Sequence, residues 1–242
     1  MAQVRTCVGV RDLVQRAHPA HRGQPHHRRD DHRRLPRAAE RLFADGYLAG
    51  ASFLVKGTGA DSASNPHQDW NIVDERVAQS LSIWCPLVDV DRDNGALVVI
   101  PGSHRLRASL RSIDSPSIYL DFTEELEPHL TVVEAAAGEA VLYAHNLFHG
   151  SKPNHSSETR VSAVTGVLPR RARHLHYRRA ADERFEVLDV DRSFYMEGIP
   201  TMLDGAIPPS AVPAETITFE RHALGVSEVF EGARAYEQQV RS

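Results

Sequence analysis

Between Tyr47 and Pro169 the chain carries six short runs of Val, Ile, Leu and aromatic residues: ASFLVKG, LSIWCPLVDV, ALVVIPG, LTVVEAA, EAVLYAH and RVSAVTGVL. Turn material such as DRDNG and AAAG separates them. Runs this short, bounded by Gly, Asn and Asp, read as β-strands. A series of them with even punctuation argues for a sandwich or a barrel. No strand–helix alternation and no glycine-rich phosphate loop breaks the series, which disfavours a dinucleotide-binding fold.

Outside this region the texture changes. Residues 16 to 41 are dense in Arg and His and nearly devoid of large apolar side chains, so they bury too little surface to offset their ordering entropy. Three readings compete for this stretch: a basic arm, a histidine-rich metal site, and translation from a shifted frame of a GC-rich gene. The division expected is a poorly specified basic segment over 1–45 and a single domain over 46–242. Within that domain a β core spans about 50–170 and a C-terminal extension spans 171–242. In the extension, RRARHLHYRRAADER reads as a solvated linker, and SEVFEGARAYEQQVRS has the spacing of a terminal amphipathic helix.

Composition narrows the function classes. The 242 residues suffice for one β domain with a real core. No stretch reaches the roughly 18 apolar residues of a membrane span, and the first residues lack a signal-peptide pattern. Cys7 and Cys85 form no CxxC pair, so no disulfide framework is expected and the default location is the cytoplasm. With a net charge of −4 a nucleic-acid partner has no global electrostatic support. A small-molecule partner is the expectation that remains.

The chemistry concentrates at Pro66-His67-Gln68-Asp69. On an extended chain residues i and i+2 share a face, so His67 and Asp69 can reach one ion together. His149 follows later in LYAHNLFHGS. Two histidines and one carboxylate on one face of an octahedron are the ligand set of non-haem Fe(II) oxygenases, with the opposite face left open. With 14 histidines in the chain, such a pairing also arises by chance. Arg160, eleven residues past His149, adds weight. If His149 ends one strand and Arg160 lies in the next, both can face one cavity, where a guanidinium fork would hold a carboxylate through two parallel hydrogen bonds.

These segments carry a resemblance. HQDW, then SIWCPLVDVDRDNGALVVIPGSHR, then HGSKPNHSSETR resemble the phytanoyl-CoA dioxygenase family in order and spacing, over about residues 50 to 168. The resemblance implies a mainly β protein with flanking helices, built on a double-stranded β-helix (a jelly-roll, cupin-like barrel). It implies Fe(II), 2-oxoglutarate and O2 as cofactor and cosubstrates. By position, His67, Asp69 and His149 look like the iron ligands, and Arg160 like the arginine that holds 2-oxoglutarate. Ser151 looks like the hydroxyl on the same carboxylate, and Trp84 like an aromatic packed near it. The N-terminal region and the last seventy residues show no such resemblance.

The activity implied is oxidation of a small organic molecule by hydroxylation, epimerisation, cyclisation or desaturation. A role in bacterial natural-product biosynthesis, antibiotics included, is the working expectation. Asp69 excludes the related halogenases, whose iron lacks the carboxylate. A cosubstrate-free cupin metalloenzyme and a non-catalytic small-molecule-binding barrel are the alternatives, and neither needs Arg160. Trp70, Asn71, Tyr143 and Phe148, beside the ligand positions, are candidates for substrate contact. Asn94-Gly95 suits a tight hairpin turn, Pro101 to His104 a bend after a strand, and Cys85 a core position. Lys56 is equally readable as a surface lysine or as one facing the barrel mouth.

Overall fold

The computed structural model describes residue 43 and residues 45–105, 110–114, 123–180, 184–218 and 227. Nearly all of the basic segment 1–45, Cys7, and the helix expected after Ser227 lie outside the described residues. In chain order the strands are β1 (Gly46–Lys56), β2 (Ser64–His67), β3 (Leu81–Pro86), β4 (Leu97–Val99), β5 (Thr131–Val133) and β6 (Val141–Ala144). They continue with β7 (His149–Ser151), β8 (Arg160–Pro169), β9 (Leu175–Arg179), β10 (Arg184–Val190) and β11 (Ala211–Thr218). Each of the six apolar runs supplies one strand. The described α-helices are two short ones, α1 (Thr123–Leu126) and α2 (Ile199–Leu203).

Two four-stranded antiparallel sheets, ordered β1-β8-β3-β6 and β2-β7-β4-β5, make the body. Apart from β4 with β5, the paired strands of these two sheets are not consecutive in the chain, as in a jelly roll. The sheets are separate ladders, not one closed barrel. The two sheets face each other because buried side chains from both pack into one core. Trp84 and Tyr143 from the first sheet meet Leu97 from the second in one buried cluster with Val90, Ala96 and Ala135. Cys85 is buried beside Trp84, as expected.

Two readings are corrected. Asn94-Gly95 is not a hairpin turn, because β3 and β4 belong to different sheets. The loop instead crosses between them, folded on side-chain caps: Asp91 Oδ1 accepts from the Asp93 and Asn94 amides at 2.9 and 3.1 Å, and Asn94 Oδ1 accepts from the Asp91 amide. Gly95 has φ +82°, which glycine adopts without strain.

The basic stretch after Pro169 is not a solvated linker. It contains β9, which pairs with β10 in a third sheet ordered β11-β10-β9. Leu175 and His176 turn inward, while the arginines meet carboxylates across the sheet. Arg173 reaches Asp189 and Glu215, and Arg178 reaches Glu186. Cross-strand charge pairing of this kind turns a basic run into a strand.

Candidate active site

A cavity of about 690 Å³ opens between the two main sheets, lined among others by His67, Asp69, His149, Ser151 and Arg160. The ladder between β2 and β7 builds one wall of it. His67 ends β2 and stands directly opposite His149, the first residue of β7, so their ring centroids lie 4.5 Å apart. The approach is close because position 150 is glycine: a Cβ there would lie 2.5 Å from the Ser64 carbonyl oxygen.

Asp69 lies beyond the end of β2, so the shared strand face is not what places it. Its amide donates to the His145 carbonyl at 2.8 Å, and its own carbonyl accepts from Arg111 Nε at 2.6 Å. Arg111 is itself fixed by a bidentate ion pair with buried Glu75. The Asp69 side chain is then divided in role. Oδ2 accepts from the Ser82 hydroxyl at 3.0 Å, while Oδ1 faces His149 Nε2 at 3.6 Å and His67 Nε2 at 4.0 Å.

One ligand atom from each of His67, Asp69 and His149 lies within 4.8 Å of the others. Both histidines present the correct nitrogen for a metal. His67 Nδ1 contacts the Asn65 carbonyl and His149 Nδ1 the Leu147 carbonyl, each at 2.9 Å. A carbonyl only accepts, so each Nδ1 carries the proton and each Nε2 keeps its lone pair. Burial lowers the pKa of His149, which favours the neutral ring a metal needs. Burial raises the carboxyl of Asp69, but His149, His145, His67 and the Ser82 hydroxyl together hold it below its ordinary value.

Arg160 opens β8 and is 4% exposed. Its two terminal nitrogens donate to Ser162 Oγ at 2.9 Å and to the Gly95 carbonyl at 2.8 Å, and its guanidinium lies over the Trp84 ring at 5.4 Å. Its Nε is buried without a partner, and no carboxylate among the described residues pairs with it. Opposite it in the β1–β8 ladder stands Lys56, also buried and facing the cavity. Burial and the adjacent guanidinium bring the Lys56 pKa down to about 8. Two neighbouring buried cations and an orphaned N–H fit an anionic group bound from the cavity.

Of the four candidate substrate contacts, Trp70 and Tyr143 line the cavity. Tyr143 packs on His149 at 4.6 Å between centroids. Asn71 and Phe148 are not among the residues that line it. Asn71 is buried with its Oδ1 accepting from the Arg111 amide at 2.6 Å, and Phe148 is fully buried. His104 stays outside the cavity lining. Four contributors escaped the sequence reading: Ser80, Ser82, Arg111 and His145. His145 lines the cavity with Nδ1 on Ser80 Oγ at 2.7 Å, and burial lowers its pKa to about 4. Nothing in their local sequence marks them, since their partners lie far along the chain.

A pair of facing jelly-roll sheets with two histidines and a carboxylate at one cavity defines a class of metal-binding β protein. Within that class the chain belongs to the phytanoyl-CoA dioxygenase (PhyH) family, whose model matches residues 10–162. The match therefore begins well inside the N-terminal segment, earlier than the sequence resemblance reached.

Among solved structures, the epimerase SnoN in complex with Fe3+, α-ketoglutarate and nogalamycin RO is 27% identical, with a TM-score of 0.47, covering 60% of this chain and 61% of that one. HygX from Streptomyces hygroscopicus, with nickel, 2-oxoglutarate and hygromycin B bound, is 18% identical (TM-score 0.40; 55% and 64% covered). AviO1 from Streptomyces viridochromogenes Tue57 is 21% identical (TM-score 0.40; 60% of each chain covered). The chain thus spans less than two thirds of each of these three proteins. No curated protein matches it.

Proposed function

We propose that the protein is an Fe(II)- and 2-oxoglutarate-dependent dioxygenase that oxidises a small organic molecule, in the cytoplasm, within natural-product biosynthesis. The observation that carries this reading is the pairing, in one cavity, of the His67–Asp69–His149 cluster with the carboxylate-free Arg160 and its buried, unpartnered Nε. A cosubstrate-free cupin or a simple binding barrel has no use for that arginine.

When bound, iron with 2-oxoglutarate and O2 supplies the oxidation of an unactivated C–H bond, with succinate and CO2 as co-products. This chain's residues do the rest. His67 and His149 would hold the ion through Nε2, and Asp69 through Oδ1, with Ser82 fixing the carboxylate's rotation. Arg160 would take the distal carboxylate of 2-oxoglutarate, assisted by Ser151 and Lys56, while Trp84 supports the guanidinium from behind. Tyr143, packed on His149, shields that side of the cluster from water. The substrate's target hydrogen is positioned by the remaining cavity wall, Trp70 included.

Anaerobic titration of the apoprotein with Fe(II), then 2-oxoglutarate, tests this directly. A weak visible charge-transfer band on adding 2-oxoglutarate is the expected result. Iron bound without such a band would overturn the cosubstrate assignment, and absence of iron binding would overturn the metal site. Succinate-coupled screening follows a positive result. Nogalamycin RO and hygromycin B, the molecules held by two of the similar structures, indicate the range of compounds to include.

A further inference from the structure

The cavity is chemically divided along the β1–β8 ladder. Lys56 pairs with Arg160 at one end, and Ala49 pairs with Gly166 further along. Arg160 and Gly166 stand six positions apart on β8, roughly 20 Å of strand. Both cations lie at the first end. At the second, the paired residues are small and uncharged. A Cβ built on Gly166 would sit 3.7 Å from the Ala49 Cβ and 3.8 Å from His145 Cε1, so a methyl there would fit in ordinary contact and occupy space that glycine leaves to the cavity.

Two aromatic residues, Trp70 and Tyr195, line the same cavity, and the C-terminal sheet supports them. Trp70 meets His176 edge-on at 5.9 Å, His176 meets Phe194 at 5.1 Å, and Phe194 meets Tyr195 edge-on at 4.9 Å. His176 and Phe194 are fully buried, while Trp70 and Tyr195, the two ends of this row, line the cavity. Tyr195 and Phe194 sit in a π-helical turn, Phe194–Gly198, a rare form that recurs at functional sites. The Tyr195 hydroxyl already donates to the Leu175 carbonyl at 2.7 Å, which leaves its ring as the group offered to a ligand.

Charge excludes one large class of occupant. Among the described lining residues Asp69 is the sole carboxylate, and its oxygens are taken by Ser82 and the two histidines. A polycation entering this end would find no counter-charge. An anion would be drawn to Lys56 and Arg160 instead. The polar group that remains is His145, whose Nδ1 is held by Ser80 and whose Nε2 has no hydrogen bond among the described residues.

We propose that this end of the cavity binds a flat, uncharged ring system, laid on the floor of Ala49 and Gly166 against Trp70 and Tyr195, with one polar atom on His145 Nε2. The proposal rests on the dioxygenase reading and names its substrate class. It also gives the C-terminal sheet a role, as the scaffold that fixes the specificity wall.

The test uses the full chain loaded anaerobically with Fe(II) and 2-oxoglutarate, with acridone as a neutral, planar, fluorescent probe and spermidine as a competing polycation. Acridone is expected to bind, and an equal concentration of spermidine to leave it bound. Trp70→Ala should weaken acridone at least tenfold, and Trp70→Phe should restore affinity to within about threefold. Stacking on one aromatic ring is worth roughly 1–3 kcal/mol, which corresponds to that tenfold change. Gly166→Ala, whose methyl meets neighbours only at ordinary contact distance, should weaken it similarly by filling the floor.

Failure of acridone to bind, displacement by spermidine, or indifference to Trp70→Ala and Gly166→Ala would overturn the proposal. The charge-transfer band is recorded on the same samples. If the wild type lacks the band, the dioxygenase reading falls and this one with it. If the band is present and acridone behaves otherwise than stated, this inference alone falls.

Discussion

At the residue scale, division of labour within single side chains decides the site. Asp69 uses one oxygen for Ser82 and offers the other to the histidines. Its replacement removes both the charge and one of the three groups proposed to hold the metal. Asp69→Ala is expected to lose stoichiometric iron and all turnover, as read by metal analysis of the purified variant and by succinate release; turnover near the wild-type rate would remove Asp69 from the ligand set. Arg160 has two nitrogens spent on Ser162 and Gly95 and an Nε without a partner. Hydrogen bonds to charged groups contribute about 1.5–3 kcal/mol each. Arg160→Ala should therefore raise the KM for 2-oxoglutarate at least tenfold, measured by initial rates at saturating substrate. An unchanged KM would place the cosubstrate elsewhere.

At the scale of elements, the β2–β7 ladder and the C-terminal sheet carry the site from either side. Gly150 lets the two backbones approach where His67 faces His149. An added methyl would press on the Ser64 carbonyl, which is backbone and cannot swing aside. Gly150→Ala should cost about 1–3 kcal/mol in a urea melt, and should weaken iron binding in parallel because the histidines separate.

In β9, His176 is buried, neither ring nitrogen has a hydrogen-bond partner among the described residues, and burial lowers its pKa to about 4. The unfolded chain takes up the proton near the ordinary value of about 6.5, whereas the folded chain resists it down to about 4. Its contribution is therefore complete above pH 6.5 and declines as the pH falls from there to 4, by up to about 3 kcal/mol. His176→Phe should flatten the stability profile in that window, as followed by chemical denaturation at pH 7, 6, 5 and 4. An unaltered slope would show that His176 is not responsible.

At the scale of the whole molecule, two facing sheets enclose a cavity that joins the His67–Asp69–His149 cluster, the Lys56–Arg160 pair and the aromatic residues Trp70 and Tyr195. Ligands that bind only this assembled state stabilise all of it. Fe(II) with 2-oxoglutarate at about a hundredfold excess over Kd should add about 2.7 kcal/mol, raising Tm by several degrees, and a chelator should reverse the gain. Asp69→Ala should show no such rise.

Much of this molecule was legible in the chain. The six apolar runs became strands because branched and aromatic residues between turn signals are a local feature, and HQD, His149 and Arg160 met in one cavity because the jelly-roll order brings their strands together. What the chain did not disclose depends on partners distant in sequence. RRARHLHYRR reads as a solvated linker until the carboxylates of β10 and β11 neutralise it. Asn71 and Phe148 stand beside ligand positions yet turn into the core. Arg111 reaches Asp69 across 42 positions and His145 reaches Ser80 across 65. Residue type and spacing determined which groups could bind a metal and an anion; only tertiary packing decided which side chains face the cavity, because side-chain direction is set by neighbours that local sequence does not contain.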